Sequence, residues 1–243
     1  MNVPNQNLVV EIREKDLTSF KYFILTFALS QIGAIIAEMV VNSVIGTIVK
    51  YCGLILFLYG IFTLSTKYPH LNSSYKFIKL FIVAMVLDLG LAVFFYMYPL
   101  LNLTNSTSLS EFYIKVPKQY GLYLFTSIII FIVIGILILS ASYYLTEWSN
   151  LGFSTFLRTR TFLYYGIIFF IGQIVISIGL FQTGIVFQNI VSRSYIITKD
   201  VNAINSALLV INVGFFILFI ALIVEIVACC VFYFRIHSFS NND

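Results

Sequence analysis

Polar residues gather in short clusters, and between them run six apolar stretches: Lys21–Val41, Val44–Ser65, Phe77–Leu100, Tyr120–Leu145, Phe162–Ile190 and Ser206–Phe234. Each is long enough for the ~20 residues that a helix needs to cross a bilayer. Backbone N–H and C=O groups in hydrocarbon must pair within their own segment, so such runs are expected to be helices. A β-barrel is excluded, because the runs are too long and lack period-two alternation. The first two stretches are separated by almost nothing and should form a tight hairpin. The fifth, about 29 residues, is longer than a perpendicular crossing requires and should tilt or run on as helix. The fold expected is an all-α, polytopic transmembrane helical bundle of about six spans. Its domains are 1–19, a polar N-terminal segment with the makings of an interfacial helix, 20–236, the membrane domain, and 237–243, a polar tail.

Between the fourth and fifth spans lies "EWSNLGFSTFLRTRTF", in which Trp148, Phe153, Phe156 and Leu157 alternate with Arg158 and Arg160. That pattern suits an elbow lying at the headgroups. Tyr96, Tyr98, Tyr120 and Tyr123 fall at one set of span edges. Tyr143, Tyr144, Trp148, Tyr164, Tyr165 and Tyr233 fall at the other, as amphipathic rings prefer. Lys and Arg set the orientation. Nine fall on the side of the termini (Arg13, Lys15, Lys21, Lys67, Lys76, Lys79, Arg158, Arg160, Arg235) and five on the other (Lys50, Lys115, Lys118, Arg193, Lys199). Both termini are therefore expected in the cytoplasm. The apolar run after Phe20 is long for a signal peptide and is read as a retained first span.

Composition agrees with the pattern. The chain of 243 residues is 60% hydrophobic and 10% charged, with a mean hydropathy of +0.98. A soluble domain carries roughly 25% charged residues, so lipid is the expected solvent, at the cell membrane. The net charge of +4 is spread over short connections and makes no nucleic-acid patch; anionic headgroups suit it better. Cys52, Cys229 and Cys230 lie in apolar segments and form no disulfide framework. His70 and His237 lie outside the spans, so no metal site or cofactor is expected. Sequons at Asn72, Asn102 and Asn105 carry little weight, as does the echo of "GIFTLS" (60–65) in "GILILS" (135–140).

The loop and fifth span read "FLRTRTFLYYGIIFFIGQIVISIG", with Gly166, Gly172 and Gly179 as markers, and "GLILFLYGIFTLS" stands earlier. Together they resemble archaeal multi-pass membrane proteins of an uncharacterised family, a domain of unknown function of the 996/973 type. The resemblance covers about 50–234. It implies a helical membrane bundle and carries no activity or site residue.

Chemistry is confined to a few polar groups inside the spans. Glu38 shares a helical face with Gln31 and Asn42, and Lys50 begins the next span, so a Glu38–Lys50 pair would neutralise two costly charges. Asp88 falls near the middle of the third span, where a carboxylate costs about 2.5–3.5 kcal/mol and demands compensation. Gln173 and Asn212 are candidate partners for it. Glu225 lies in the second half of the sixth span. By depth, Glu38, Asp88 and Glu225 make an outer, middle and inner acid, the arrangement an ion relay would use. Gly172 and Gly179, a heptad apart, offer a face for close helix approach within the chain or in self-association. No nucleophile elbow, HExxH, P-loop or dinucleotide fingerprint is present, and no enzyme is expected. Two function classes remain. One is a non-catalytic bundle acting as scaffold or accessory subunit to other membrane proteins. The other is a small proton- or cation-coupled transporter or channel.

Overall fold

The computed structural model describes residues 14–40, 43–68, 74–103, 109–152, 160–193 and 198–240, and the side chains of most of them. Among these residues there are six helices and no strand. They are α1 (Glu14–Val40), α2 (Ser43–Lys67), α3 (Ser74–Leu103), α4 (Leu109–Gly152), α5 (Thr161–Arg193) and α6 (Thr198–Ser240). Five contain segments long and apolar enough to cross a membrane: Asp16–Ala37, Ile45–Lys67, Leu124–Trp148, Thr161–Ile190 and Lys199–Phe234. The fifth-span expectation of one long helix holds over α5. The α3 segment, which carries Asp88, is not among the five.

Burial along each helix follows the 3–4 spacing of a heptad seam. On α1 the buried positions are Leu17, Phe20, Ile24, Phe27, Gln31 and Ala34. On α4 they include Leu124, Ser127, Ile134, Ile138, Ala141, Leu145 and Trp148. On α6 Asp200, Ala207, Ala221, Glu225, Ala228 and Phe232 keep the same register. The opposite faces are also apolar, with Leu29, Ile36, Ile129, Leu209 and Phe216 exposed. A helix apolar all round, with its smaller and aromatic residues turned inward, is suited to lipid outside and helix packing inside.

The chain divides into two compact units. Unit 1 is Met1–Ile78, Ser142–Leu163 and Leu222–Asp243; unit 2 is Lys79–Ala141 and Tyr164–Ala221. Unit 1 is built on the antiparallel α1–α2 hairpin. Gly33 lies against Val49, Gly53 against Ser30 and Gly60 against Phe23. Its core takes one aromatic ring from every helix: Phe20, Phe57, Phe77, Trp148, Phe162 and Phe232, none more than 2% exposed. Phe20 sits 5.9 Å from Trp148, 6.0 Å from Phe232 and 6.5 Å from Phe57. Phe77 joins Trp148 at 5.9 Å, and Phe162 joins Phe232 at 5.9 Å. Most of these contacts are edge-to-face, the geometry that the ring quadrupole favours.

Unit 2 is built on α5 packed antiparallel to α6. A Cβ added at Gly172 would lie 3.3 Å from the carbonyl oxygen of Gly214, and one at Gly214 would lie 3.2 Å from that of Gly172. One at Gly179 would meet the Ala207 oxygen and the Ile211 nitrogen, both at 3.0 Å. Backbones this close tolerate no side chain between them. Leu124, Ile176 and Leu180 form the adjoining core, with Ile128, Phe131 and Phe187 around it.

Several expectations need correction. Trp148 ends an apolar span, as expected, but it stands in a helix and not in a linking elbow. α4 runs on to Gly152, and Trp148 is the next step of its buried seam after Ala141 and Leu145, fully enclosed. Tyr164 and Tyr165 both fall near the start of the fifth apolar span, as expected, Tyr165 turned inward and Tyr164 exposed. The helices outrun their spans: α4 begins at Leu109, although its apolar segment begins at Leu124, close to the Tyr120 expected, and in α6, which begins at Thr198, the apolar segment begins at Lys199 and not at Ser206. From Glu14 onward the N-terminal segment is the first turns of α1, not a separate helix. Residues 1–13 and 153–159, which held the rest of those two expectations, lie outside the described residues.

Candidate functional site

The three intramembrane acids fall as follows. Glu38 is in the last turn of α1, in unit 1, and its side chain lies outside the described set. Asp88, half-buried on α3, belongs to unit 2. Glu225 is buried at a seam position of α6 in unit 1, one turn before the fully buried Cys229. Neither Asp88 nor Glu225 is without an interacting partner.

The expected partners are placed more sharply. In the hairpin, Gly33 faces Val49 and Gly53 faces Ser30. That antiparallel register sets Lys50 level with Gly33, and Glu38 level with Ile45, about 7.5 Å further along the axis. Lys50 is half-buried, with Nζ 5.9 Å from the Tyr51 ring centroid. Gln173, 3% exposed, packs against α4 where Gly135 has no side chain. Its backbone oxygen accepts from Ser177 Oγ at 2.8 Å, while its Oε1 has no hydrogen-bond partner among the described residues. Asn212 is exposed, beside rather than on the seam through Ile211 and Gly214. The helix that approaches the Gly172/Gly179 face is α6 of the same chain.

Some polar features had no signature in the sequence. Asp16, in the first turn of α1, accepts from Lys67 Nζ at 2.5 Å and from the Tyr68 hydroxyl at 3.0 Å. Those residues are some fifty positions apart, and only the hairpin register joins them. In unit 2 Arg193 Nη2 donates to Asp200 at 2.7 Å across the α5–α6 turn. Here the signal was available: a cation in the last turn of one helix and an acid in the first turn of the next, each favourable to its helix dipole. Gln31 occupies a buried seam position, and its Oε1 also has no partner among the described residues. Among the described residues no group of His, Cys, Asp or Glu is placed to hold a metal ion.

Long helices with apolar outer faces, heptad seams and glycine-mediated crossings define a multi-pass helical membrane protein. No protein-family model matches the chain, and neither does any curated protein or solved structure.

Proposed function

We propose that the protein is a non-catalytic helical bundle of the cell membrane that acts as a scaffold or accessory subunit for other membrane proteins. The observation that carries this reading is the core of unit 1. All six helices send a ring into one packed cluster, and Trp148 at its centre is fully enclosed. Such a cluster fills the space between helices that a conducting path would need. The acids add support, since Asp88 and Glu225 each have a partner, as a packing role requires of charges in a low-dielectric interior. The same proposal includes α3 as a sixth span and both termini in the cytoplasm, the latter supported by the nine-to-five distribution of Lys and Arg.

The test is a pH gradient held across liposomes containing the purified protein. Wild type, Asp88→Asn and Glu225→Gln are expected to hold the gradient as long as empty liposomes do. A collapse caused by wild type and abolished by either substitution would overturn the proposal in favour of a proton-coupled transporter.

A further inference from the structure

The ends of α1 and α2 enclose a small cleft in unit 1, with a volume of about 30 Å³. Phe20, Phe23 and Leu64 form its apolar floor, and Asp16, Ser19, Thr63 and Lys67 its polar rim. The apolar spans of the two helices begin at Asp16 and end at Lys67. The rim therefore sits where hydrocarbon gives way to headgroups. The rim is rich in acceptors. Asp16 is held in place by Lys67 and Tyr68, and a carboxylate has room for about four hydrogen bonds in all. Thr63 donates its hydroxyl hydrogen to the Tyr59 carbonyl at 2.8 Å, which leaves its oxygen as an acceptor. Tyr68 is itself fixed, through its N–H on Leu64 O at 3.1 Å. At the mouth, Lys67 is half-exposed and gives one of its three N–H groups to Asp16.

We propose that this cleft binds the headgroup of a phospholipid that carries a primary ammonium group. The ammonium enters the cleft and donates to Asp16 and Thr63, while the phosphate stays outside on the Lys67 ammonium. The neutral Asp16–Lys67 pair favours a zwitterion over an anionic lipid. Hydrogen-bond donors decide between zwitterions. An –NH₃⁺ group brings three N–H groups to the acceptors of the rim, whereas a trimethylammonium offers none.

The test is native mass spectrometry of the full chain, mixed with chain-matched phosphatidylethanolamine, its mono- and dimethyl derivatives, phosphatidylcholine and phosphatidylglycerol. The expected result is retention of phosphatidylethanolamine about tenfold over phosphatidylcholine, the worth of one charge-assisted hydrogen bond, with a graded fall across the methyl series. Asp16→Asn and Lys67→Gln are each expected to flatten that preference. Trp148 fluorescence reports whether the variants keep the core, since its ring touches Phe20 beside the cleft. The methyl series needs no variant at all. Equal retention of phosphatidylcholine, stronger retention of phosphatidylglycerol, or an unchanged preference in folded Asp16→Asn would each overturn the proposal.

Discussion

The α1–α2 hairpin of unit 1 and the α5–α6 pair of unit 2 solve one problem in two ways. Both are antiparallel, both are spaced by glycines a heptad apart, and both are clasped by an acid–base pair at helix ends. In the hairpin the glycines receive side chains: Gly53 and Gly60 on α2 those of Ser30 and Phe23, and Gly33 on α1 that of Val49. In the other pair Gly172, Gly179 and Gly214 also receive side chains, those of Leu218, Ile211 and Ile176, but backbone atoms of the facing helix stand close behind, 2.9–3.3 Å from where a Cβ would lie. A side chain in a groove can be exchanged for a smaller one. Backbone this close leaves an obstruction that no such exchange removes. The clasps differ too: Asp200 is buried, whereas the Lys67 side chain is 52% exposed.

The largest expected effect follows from that asymmetry. Gly214→Ala would set a Cβ 2.9 Å from the Ile176 nitrogen and 3.2 Å from the Gly172 oxygen. We expect a loss of about 2–3 kcal/mol of stability, the upper range for overpacking, measured by thermal or denaturant unfolding in detergent. Ile176→Ala should not fully restore it: that change removes Ile176 Cγ1, 2.5 Å from the new Cβ, but leaves the backbone nitrogen and oxygen in place. Gly53→Ala, whose Cβ would lie 2.3 Å from Ser30 Cβ, should cost about 2 kcal/mol. Ser30→Gly in the same chain should return at least half of that. Full rescue of Gly214→Ala, or failure to rescue Gly53→Ala, would erase the distinction between the two pairs.

Much of this fold was legible in the chain. Helix identity followed from length and apolarity, and the edges of α2 and α5 fell within a few residues of their apolar runs. The Gly172/Gly179 spacing also marked a close approach correctly. The failures share a physical cause. Hydropathy separates lipid from water, but in a membrane protein it does not separate the seam from the lipid face, since both are apolar. Trp148 shows this. As an amphipathic ring it ends the apolar span of α4, but hydropathy did not tell that its spacing from Ile134, Ile138, Ala141 and Leu145 also turns it into the seam. The site was less legible still. Asp16, Lys67 and Tyr68 come together only through the hairpin register, which no local pattern encodes. Asp88 and Glu225 stood out by chemistry, while the partners each has depend on helix rotation.

Breaking the clasp of unit 2 comes next in size. Arg193→Gln removes the guanidinium that pairs with the buried Asp200 carboxylate. Removing one partner of a fully buried pair costs about 3–5 kcal/mol. Arg193 is itself about one-third exposed, so solvent takes up part of the loss, and about 1–2 kcal/mol is expected. Unfolding midpoints of the variant and wild type check this, and the difference should persist in high salt.

One buried amide in each region sharpens the comparison in the opposite direction. Gln31 in the α1 seam and Gln173 in α5 both bury an Oε1 with no hydrogen-bond partner among the described residues. An unmet acceptor costs about 1–3 kcal/mol, and an apolar side chain of like shape avoids the cost. Gln31→Met and Gln173→Met are therefore each expected to stabilise the protein by about 1 kcal/mol, read from the same unfolding curves. If one gains and the other loses, the loser's amide serves something other than packing, and that region becomes the place to look for a ligand.

The smallest effect on stability belongs to the clasp of unit 1. Lys67→Gln removes an exposed ion pair worth about 0.5 kcal/mol at low salt. Even that should vanish near 1 M salt, where the screening length is about 3 Å. Arg193→Gln measured beside it should keep its loss, which separates a buried clasp from an exposed one in a single salt series. A pair that contributes so little to folding has its consequence elsewhere. Asp16 and Lys67 hold each other across the mouth of the headgroup cleft, so the same substitution that barely moves the unfolding curve should flatten the lipid preference. A Lys67→Gln variant that unfolds early in both salts would make the pair a structural clasp like its counterpart, and would remove the contrast between the two hairpins.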